Sequence, residues 1–154
     1  MNILFVCTHN RCRSILFEAL TNFFGGGKLF ARSGGSAPVD QVHPLTLKFL
    51  EEAGIPIDGL RPQSWKEMGD FQPDLMITLC DSAASETCPL VLATIPSVHW
   101  GLKDPSRIEG SAEEVALAFR DTITEIGNRI DTLLQMPLDD IDGSALALAI
   151  STRV

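Results

Sequence analysis

Short apolar runs that end at polar loops alternate along this chain with segments of helical periodicity, and that alternation restricts the fold more than any other feature. Asn2–Val6, Leu29–Ser33, Asp74–Leu79 and Ile95–Trp100 each read as a short strand. Between and after them, Ile15, Leu16, Ala19, Leu20 and Phe23 follow helical spacing from Arg13 to Phe24, before Gly25-Gly26-Gly27 stops the helix. Pro44 opens a second helix through Leu47 and Leu50, closed by Gly54. A short helix is expected near Ser64–Met68. Ser111-Ala112-Glu113-Glu114 has capping-box form, and Val115, Phe119, Ile123, Ile126, Ile130 and Leu133 then make an apolar stripe that stops before Pro137. Such alternation predicts right-handed crossovers and an α/β fold: a doubly wound four-stranded parallel sheet with helices on both faces. Residues 1–136 are expected to form one domain, and 137–154 a tail with a short helix around Ser144–Ile150.

The 154 residues, 45 % hydrophobic and 21 % charged, suit a globular chain of about one domain. No apolar run approaches the ~20 residues of a membrane span, and the start lacks the basic region of a signal peptide, so a cytoplasmic location is expected. The net charge of −8 argues against a nucleic-acid surface. It also isolates Arg11 and Arg13 as a local cationic cluster. The four cysteines fall into two pairs, Cys7/Cys12 and Cys80/Cys88. In an intracellular chain they point to catalysis, redox exchange or metal binding before a fixed disulfide frame.

In open parallel sheets ligands sit beyond the carboxyl ends of the strands. Cys7, Cys80 and the segment after Trp100 all follow strand ends, so one edge is expected to collect them. The stretch Cys7-Thr8-His9-Asn10-Arg11-Cys12-Arg13-Ser14 lies between a strand and a helix. Five residues between Cys7 and Arg13 allow successive N–H groups to turn inward at a helix N-terminus, which favours an anion. Arg13 adds a planar two-pronged contact to two oxygens of a tetrahedral oxyanion. The same field is expected to lower the Cys7 thiol from ~8.5 toward ~4–7. Asn10 is expected to lock the loop through its own backbone, and Ser14 to donate to the Cys7 sulfur. The bland alternative makes Cys7 a buried strand-end residue and Arg13 a surface one.

This stretch is similar to the signature of the low-molecular-weight protein tyrosine phosphatases and of the arsenate reductases that share their fold. The likeness continues through Ser33-Gly34-Gly35-Ser36, Val42-His43-Pro44, His99-Trp100-Gly101 and Asp104-Pro105, over about residues 2–135. It implies Cys7 as nucleophile, Arg13 as oxyanion clamp, Asp104 as general acid and Thr8–Ser14 as the substrate loop. Without the likeness, an Asp-Pro step is most often a plain turn.

Phosphoryl transfer asks only for Cys7, Arg13 and Asp104, whereas reduction also needs electrons. "TLCDSAASETCP" resembles the redox segment of thioredoxin-coupled arsenate reductases, with small residues Ser82 to Ser85 suited to movement. That resemblance implies a relay: Cys7 binds arsenic, Cys80 displaces arsenite, and Cys88 carries the disulfide outward to an external thiol. The reductant is thioredoxin by preference, with glutaredoxin/glutathione or a mycothiol system left open and no bound cofactor expected. The chain has no tyrosine, and Trp100 alone is a candidate aromatic wall, so arsenate is preferred to a phosphotyrosine. The second reading remains a phosphatase.

Two positions depart from the pattern. Arg11 stands where a small or apolar residue is usual, and either raises anion affinity or faces solvent. Cys12 opens a competing Cys7–Cys12 disulfide. Some relatives of this type hold potassium through residues equivalent to Asn10, Glu18 and Ser33 with an aspartate. Trp65 stands near that last place, so no metal is expected. A third reading is a zinc-binding or redox-sensing thiol module, and the spacing of neither cysteine pair fits zinc.

Overall fold

The computed structural model describes residues 1–153, so Val154 at the end of the expected tail lies outside the described residues. Its four strands, β1 (Asn2–Cys7), β2 (Phe30–Gly35), β3 (Leu75–Thr78) and β4 (Ser97–His99), form one parallel sheet in the order β2-β1-β3-β4. Strand β1 is central because Ile3, Leu4, Phe5 and Val6 are apolar on both sides of the pleat and all are buried. The crossovers carry α1 (Arg13–Phe24), α2 (Pro44–Glu52) and the short α3 (Asp81–Ser85), and α4 (Ala112–Leu134) and α5 (Gly143–Ser151) follow the last strand. The doubly wound α/β architecture is the one the alternation predicts.

Local chemistry explains where the helices begin. Pro44 sits in the first turn of α2, and His43 Nδ1 accepts from Leu45 N at 3.1 Å. Ser111 Oγ accepts from Glu114 N at 3.2 Å to start α4, and Asp142 Oδ1 accepts from Ala145 N at 2.9 Å to start α5. Helices α1, α2 and α4 pack on one another, while α5 packs against β3 and β4. Phe5 stacks on Phe17 at 4.7 Å between ring centres, and Phe49 on Phe119 at 5.1 Å. Each such fully buried side chain contributes about 2 kcal/mol.

Two segments differ from expectation. No helix forms at Ser64–Met68: the chain runs through turns, tied by a bridge from Ser64 to Gly35 and by Trp65 N donating to Gly35 O at 3.0 Å. Backbone pairing with the end of β2 outcompetes a helical turn there. Conversely, the segment after Cys80, expected to be mobile, contains α3. The Cys80 sulfur accepts from Ala83 N at 3.4 Å and Ala83 is buried, which pins one turn of helix against the sheet.

The chain beyond Pro137 joins the main core, since Leu138, Leu146 and Ile150 belong to the same buried cluster as β1 and β3. Gly143 marks how closely α5 approaches: a Cβ built there would collide with Asp74 O. Gly143→Ala must push α5 off the start of β3. The expected cost is about 2 kcal/mol, read as a lower urea midpoint at unchanged slope. An unchanged midpoint would contradict this packing.

Candidate active site

Strand β1 delivers Cys7 to the carboxyl edge, and α1 takes up the chain again at Arg13. Between them the loop turns at Asn10, whose φ of +50° lies in the left-handed region that asparagine tolerates better than most residues. Its buried side chain fixes that turn. Nδ2 donates to Ser14 Oγ at 2.8 Å, and Oδ1 accepts from Gln63 N at 2.8 Å. The anchor is therefore Ser14 and a neighbouring segment, not the loop's own backbone. The carbonyls of Thr8, His9 and Arg11 face outward and accept from Ala37 N, Val39 N and His43 N at 2.9, 3.2 and 3.0 Å. Because each peptide is planar and trans, the N–H groups opposite those carbonyls face the loop interior. Gly35 permits this wrapping, since a Cβ there would lie 2.6 Å from Thr8 O.

Arg13 reaches across the sheet edge. Its Nη1 donates to Leu102 O at 3.0 Å and Leu79 O at 3.4 Å, and its Nη2 lies 3.6 Å from Asp104 Oδ2. Asp104 Oδ1 accepts from the hydroxyl and the amide of Ser106 at 2.6 and 2.9 Å, and Arg107 Nε lies 3.6 Å from Oδ2. The result is a cleft of about 440 Å³ lined by the loop from Cys7 to Arg13 with Cys80, Ser82, Asp104, Ser106 and Arg107. Its charged groups are three guanidiniums and one carboxylate, a setting for a tetrahedral oxyanion.

All four cysteines are free thiols. Cys7 and Cys80 line the cleft together, and each shifts the other's titration, Cys7 in the direction opposite to expectation. Contact with Cys80 and burial push Cys7 well up, against Arg13 and Ser14, which pull it down. Cys80 is drawn down to about 4 because its sulfur accepts from Cys7 first, and also from Thr8 and Ala83 N. Within the pair Cys80 is the more acidic thiol.

The family profile of low molecular weight phosphotyrosine protein phosphatases matches residues 2–141. The chain belongs to that family. Among its relatives, an arsenate reductase of Halalkalibacterium halodurans is 35 % identical over 133 residues, 86 % of this chain and 94 % of that one. A solved arsenate reductase in the phosphate binding state superposes with a TM-score of 0.69 at 27 % identity, covering 86 % of this chain and 95 % of that one. The thioredoxin-dependent arsenate reductase of Corynebacterium glutamicum gives 0.63 at 28 % identity, over 87 % of this chain and 60 % of that one.

Within this family fold the remaining sequence candidates are distributed unevenly. Cys12 lines the cleft, and burial pushes its thiol up to about 12. Cys88 stands outside the cleft, half-buried, in a second depression with Trp65, Ala83, Ala84 and His99. Trp100 is core and lines no part of the cleft. Arg11 does line it. The residues equivalent to a potassium site do not fit a cation. Asn10 is committed to Ser14 and Gln63, Glu18 accepts from Ser33 Oγ at 2.6 Å with its pKa raised by burial, and Trp65 is buried against Gly34.

Sequence reasoning missed the supports. Arg129 of α4 donates to Trp100 O at 2.9 Å and Gly101 O at 3.1 Å, and its guanidinium lies 5.1 Å from the Trp100 ring centre. It thereby holds the segment whose Leu102 carbonyl orients Arg13. Its position inside an amphipathic helix gives no sign of this. His99, read as a plain strand residue, accepts or donates at Thr78 Oγ1 (3.0 Å) and meets Asp81 at 3.2 Å, tying α3 to β4.

Two measurements follow from this geometry. Arg129→Met is expected to raise the KM for oxyanion about tenfold, with Arg129→Lys intermediate, in steady-state kinetics; an unchanged KM would show that the 100–102 segment holds itself. In a thiolate absorbance titration of the reduced protein, a step near pH 4 is expected, present in Cys88→Ser and absent in Cys80→Ser. If it vanishes only in Cys7→Ser, the resting charge sits on Cys7 instead.

Proposed function

We propose that this chain is an arsenate reductase that passes electrons through Cys7, Cys80 and Cys88 from an external thiol. The observation that carries the reading is that Cys7 and Cys80 line one oxyanion cleft together. A phosphatase has no use for a second, acidic thiol against its nucleophile. The relatives named as arsenate reductases support the same conclusion.

The steps balance in protons and electrons. Arsenate enters between the loop N–H groups and Arg13. Arg13 and Ser14 favour the charge on Cys7, and attack begins from the form in which the proton rests on Cys80. The Cys7 thiolate, held by Arg13 and Ser14, attacks arsenic, and Asp104 takes a proton from the incoming arsenate monoanion and passes it to the departing oxygen, which leaves as water. Cys80, giving its proton to the arsenic oxyanion as it reacts, then attacks the Cys7 sulfur. The S–As pair returns to arsenic, which leaves as arsenite, and a Cys7–Cys80 disulfide remains. Cys88 attacks Cys80 next, freeing Cys7 and forming Cys80–Cys88, which the external thiol reduces. That last exchange requires α3 to unwind, because Cys88 lies behind it. Thioredoxin is the reductant we favour, since the Corynebacterium glutamicum relative is described as thioredoxin-dependent.

The phosphatase reading draws on the family itself and on the same Cys7, Arg13 and Asp104. Against it, the cleft lining includes no phenylalanine or tryptophan to grip an aryl ring.

Reduced protein with arsenate, thioredoxin, thioredoxin reductase and NADPH is expected to consume NADPH only when arsenate is present. Cys7→Ser abolishes this. Cys88→Ser releases one arsenite per enzyme and stops. Full turnover by Cys88→Ser would sink the three-cysteine relay, and brisk release from an aryl phosphate without NADPH loss would make the protein a phosphatase.

A further inference from the structure

The three relay thiols are not equally equipped to react. Cys7 has Arg13 and Ser14 to favour its thiolate, and Cys80 has Thr8 and Ala83 N. Cys88 has no such help. Its sulfur donates to Pro89 O at 3.6 Å, and burial pushes its thiol up. Yet Cys88 has to react as a thiolate, the attacking species in disulfide exchange. The depression it lines holds no lysine or arginine to stabilise that charge. A base beside the sulfur would take the proton as it attacks.

Two side chains in that depression of about 230 Å³ can serve as a base, Glu86 and His99. Glu86 ends α3, on the segment that has to move, and a carboxylate is a much weaker base than imidazole. His99 closes β4, where its pairing with Thr78 keeps it in the sheet. Its Nδ1 lies 3.0 Å from Thr78 Oγ1, a hydroxyl that can donate or accept and so supports either tautomer. Its Nε2 meets Asp81 Oδ1 at 3.2 Å. Asp81 begins α3, so the unwinding that brings Cys88 to Cys80 also takes Asp81 off Nε2. One motion then uncovers both the sulfur's target and the nitrogen. Strand β3 and helix α5, which pack on β4, bring no charged side chain, so the titratable groups facing the ring are Asp81, Glu86 and Cys88.

We propose that His99 is a further catalytic residue of the relay, the base that takes the Cys88 proton as the disulfide is transferred. The inference rests on the arsenate-reductase reading and adds a group to its second disulfide step. As α3 opens, Cys88 gives its S–H proton to His99 Nε2. The Cys88 sulfur attacks Cys80 of the Cys7–Cys80 disulfide, and a Cys80–Cys88 bond forms. The electron pair of the broken bond leaves on Cys7, where Arg13 and Ser14 receive the charge. No electrons enter or leave the chain in this step. The imidazolium then returns its proton to solvent.

The test mixes reduced wild-type, His99→Gln, His99→Ala and Asp81→Asn proteins with arsenate, without external thiol, and blocks free thiols with N-ethylmaleimide at intervals. Mass spectrometry reads whether Cys88 carries the label, before transfer, or Cys7, after it. At pH 7, His99→Gln, whose amide still reaches Thr78, is expected to keep the Cys7–Cys80 form roughly ten times longer than wild type, or more. Raising the pH to 9 shortens that delay, because hydroxide then removes the Cys88 proton. Added imidazole speeds His99→Ala toward the wild-type rate. Asp81→Asn loosens α3 and keeps the base, so it transfers no more slowly than wild type. Transfer by His99→Gln as fast as wild type, or faster, overturns the base and leaves His99 a tie on α3. A delay that neither pH nor imidazole relieves overturns it too. Arsenite from each variant shows that its cleft is intact, and His99→Asn takes the place of a variant that gives none. No arsenite from the wild type overturns the arsenate-reductase reading and the role of His99 with it.

Discussion

One guanidinium ties the carboxyl ends of three strands together. Arg13 opens α1 just after β1, and its hydrogen bonds end on Leu79, past β3, and on Leu102, past β4. A hydrogen bond from a charged donor is worth about 1.5–3 kcal/mol, and here the acceptors follow two different strands, far from Arg13 in sequence. Arg129 extends the same support from α4 by gripping Trp100 and Gly101. Asp104 is placed by the segment these bonds hold. The anion site thus shares its scaffolding with the sheet edge, and its charges are fixed before a substrate arrives.

That prior fixing matters because the chain as a whole is unfriendly to an oxyanion. With a net charge of −8, it repels a dianion at long range. Screening at physiological ionic strength confines that repulsion to about 8 Å, and in the lining of the cleft Arg11, Arg13 and Arg107 outnumber Asp104. The Cys7–Cys80 pair belongs to the same balance. Two thiolates side by side would add a repulsion that the guanidiniums must offset, whereas one retained proton leaves a single charge. Moving that proton between sulfurs lets the charge appear on whichever sulfur is to react.

Much of this was legible in the sequence where a local rule governs. The run Ile3–Val6, the glycines after Phe24, Pro44 and the Ser111 cap each act within a few residues, and the elements they predict are present. The gathering of Cys7, Cys80 and Asp104 followed from the parallel sheet alone. What escaped was decided across the fold. Ser64–Met68 reads as helix until Gly34 and Gly35 admit Trp65 and its backbone against β2. Asn10 was recognised as the lock of the loop, but its partner Gln63 lies 53 residues away. The direction of the Cys7 shift was misread because the loop was considered alone; the field of Arg13 and Ser14 is real, yet contact with Cys80 outweighs it.

The proposed chemistry also explains why the electrons must leave by another route. Cys7 and Cys80 are almost wholly buried, and the cleft above them is cationic. A reductant entering through that cleft would compete with arsenate for the same N–H groups and guanidiniums, more so if it carried carboxylates. Carrying the disulfide to Cys88 moves the exchange to a face with no lysine or arginine. The two faces then differ in charge, so substrate and reductant do not exclude each other. The cost is conformational: α3, only five residues long and held by one Ala83 contact and the His99–Asp81 pair, has to give way. A helix that short has little cooperativity of its own, which makes it the cheapest part of the sheet edge to open.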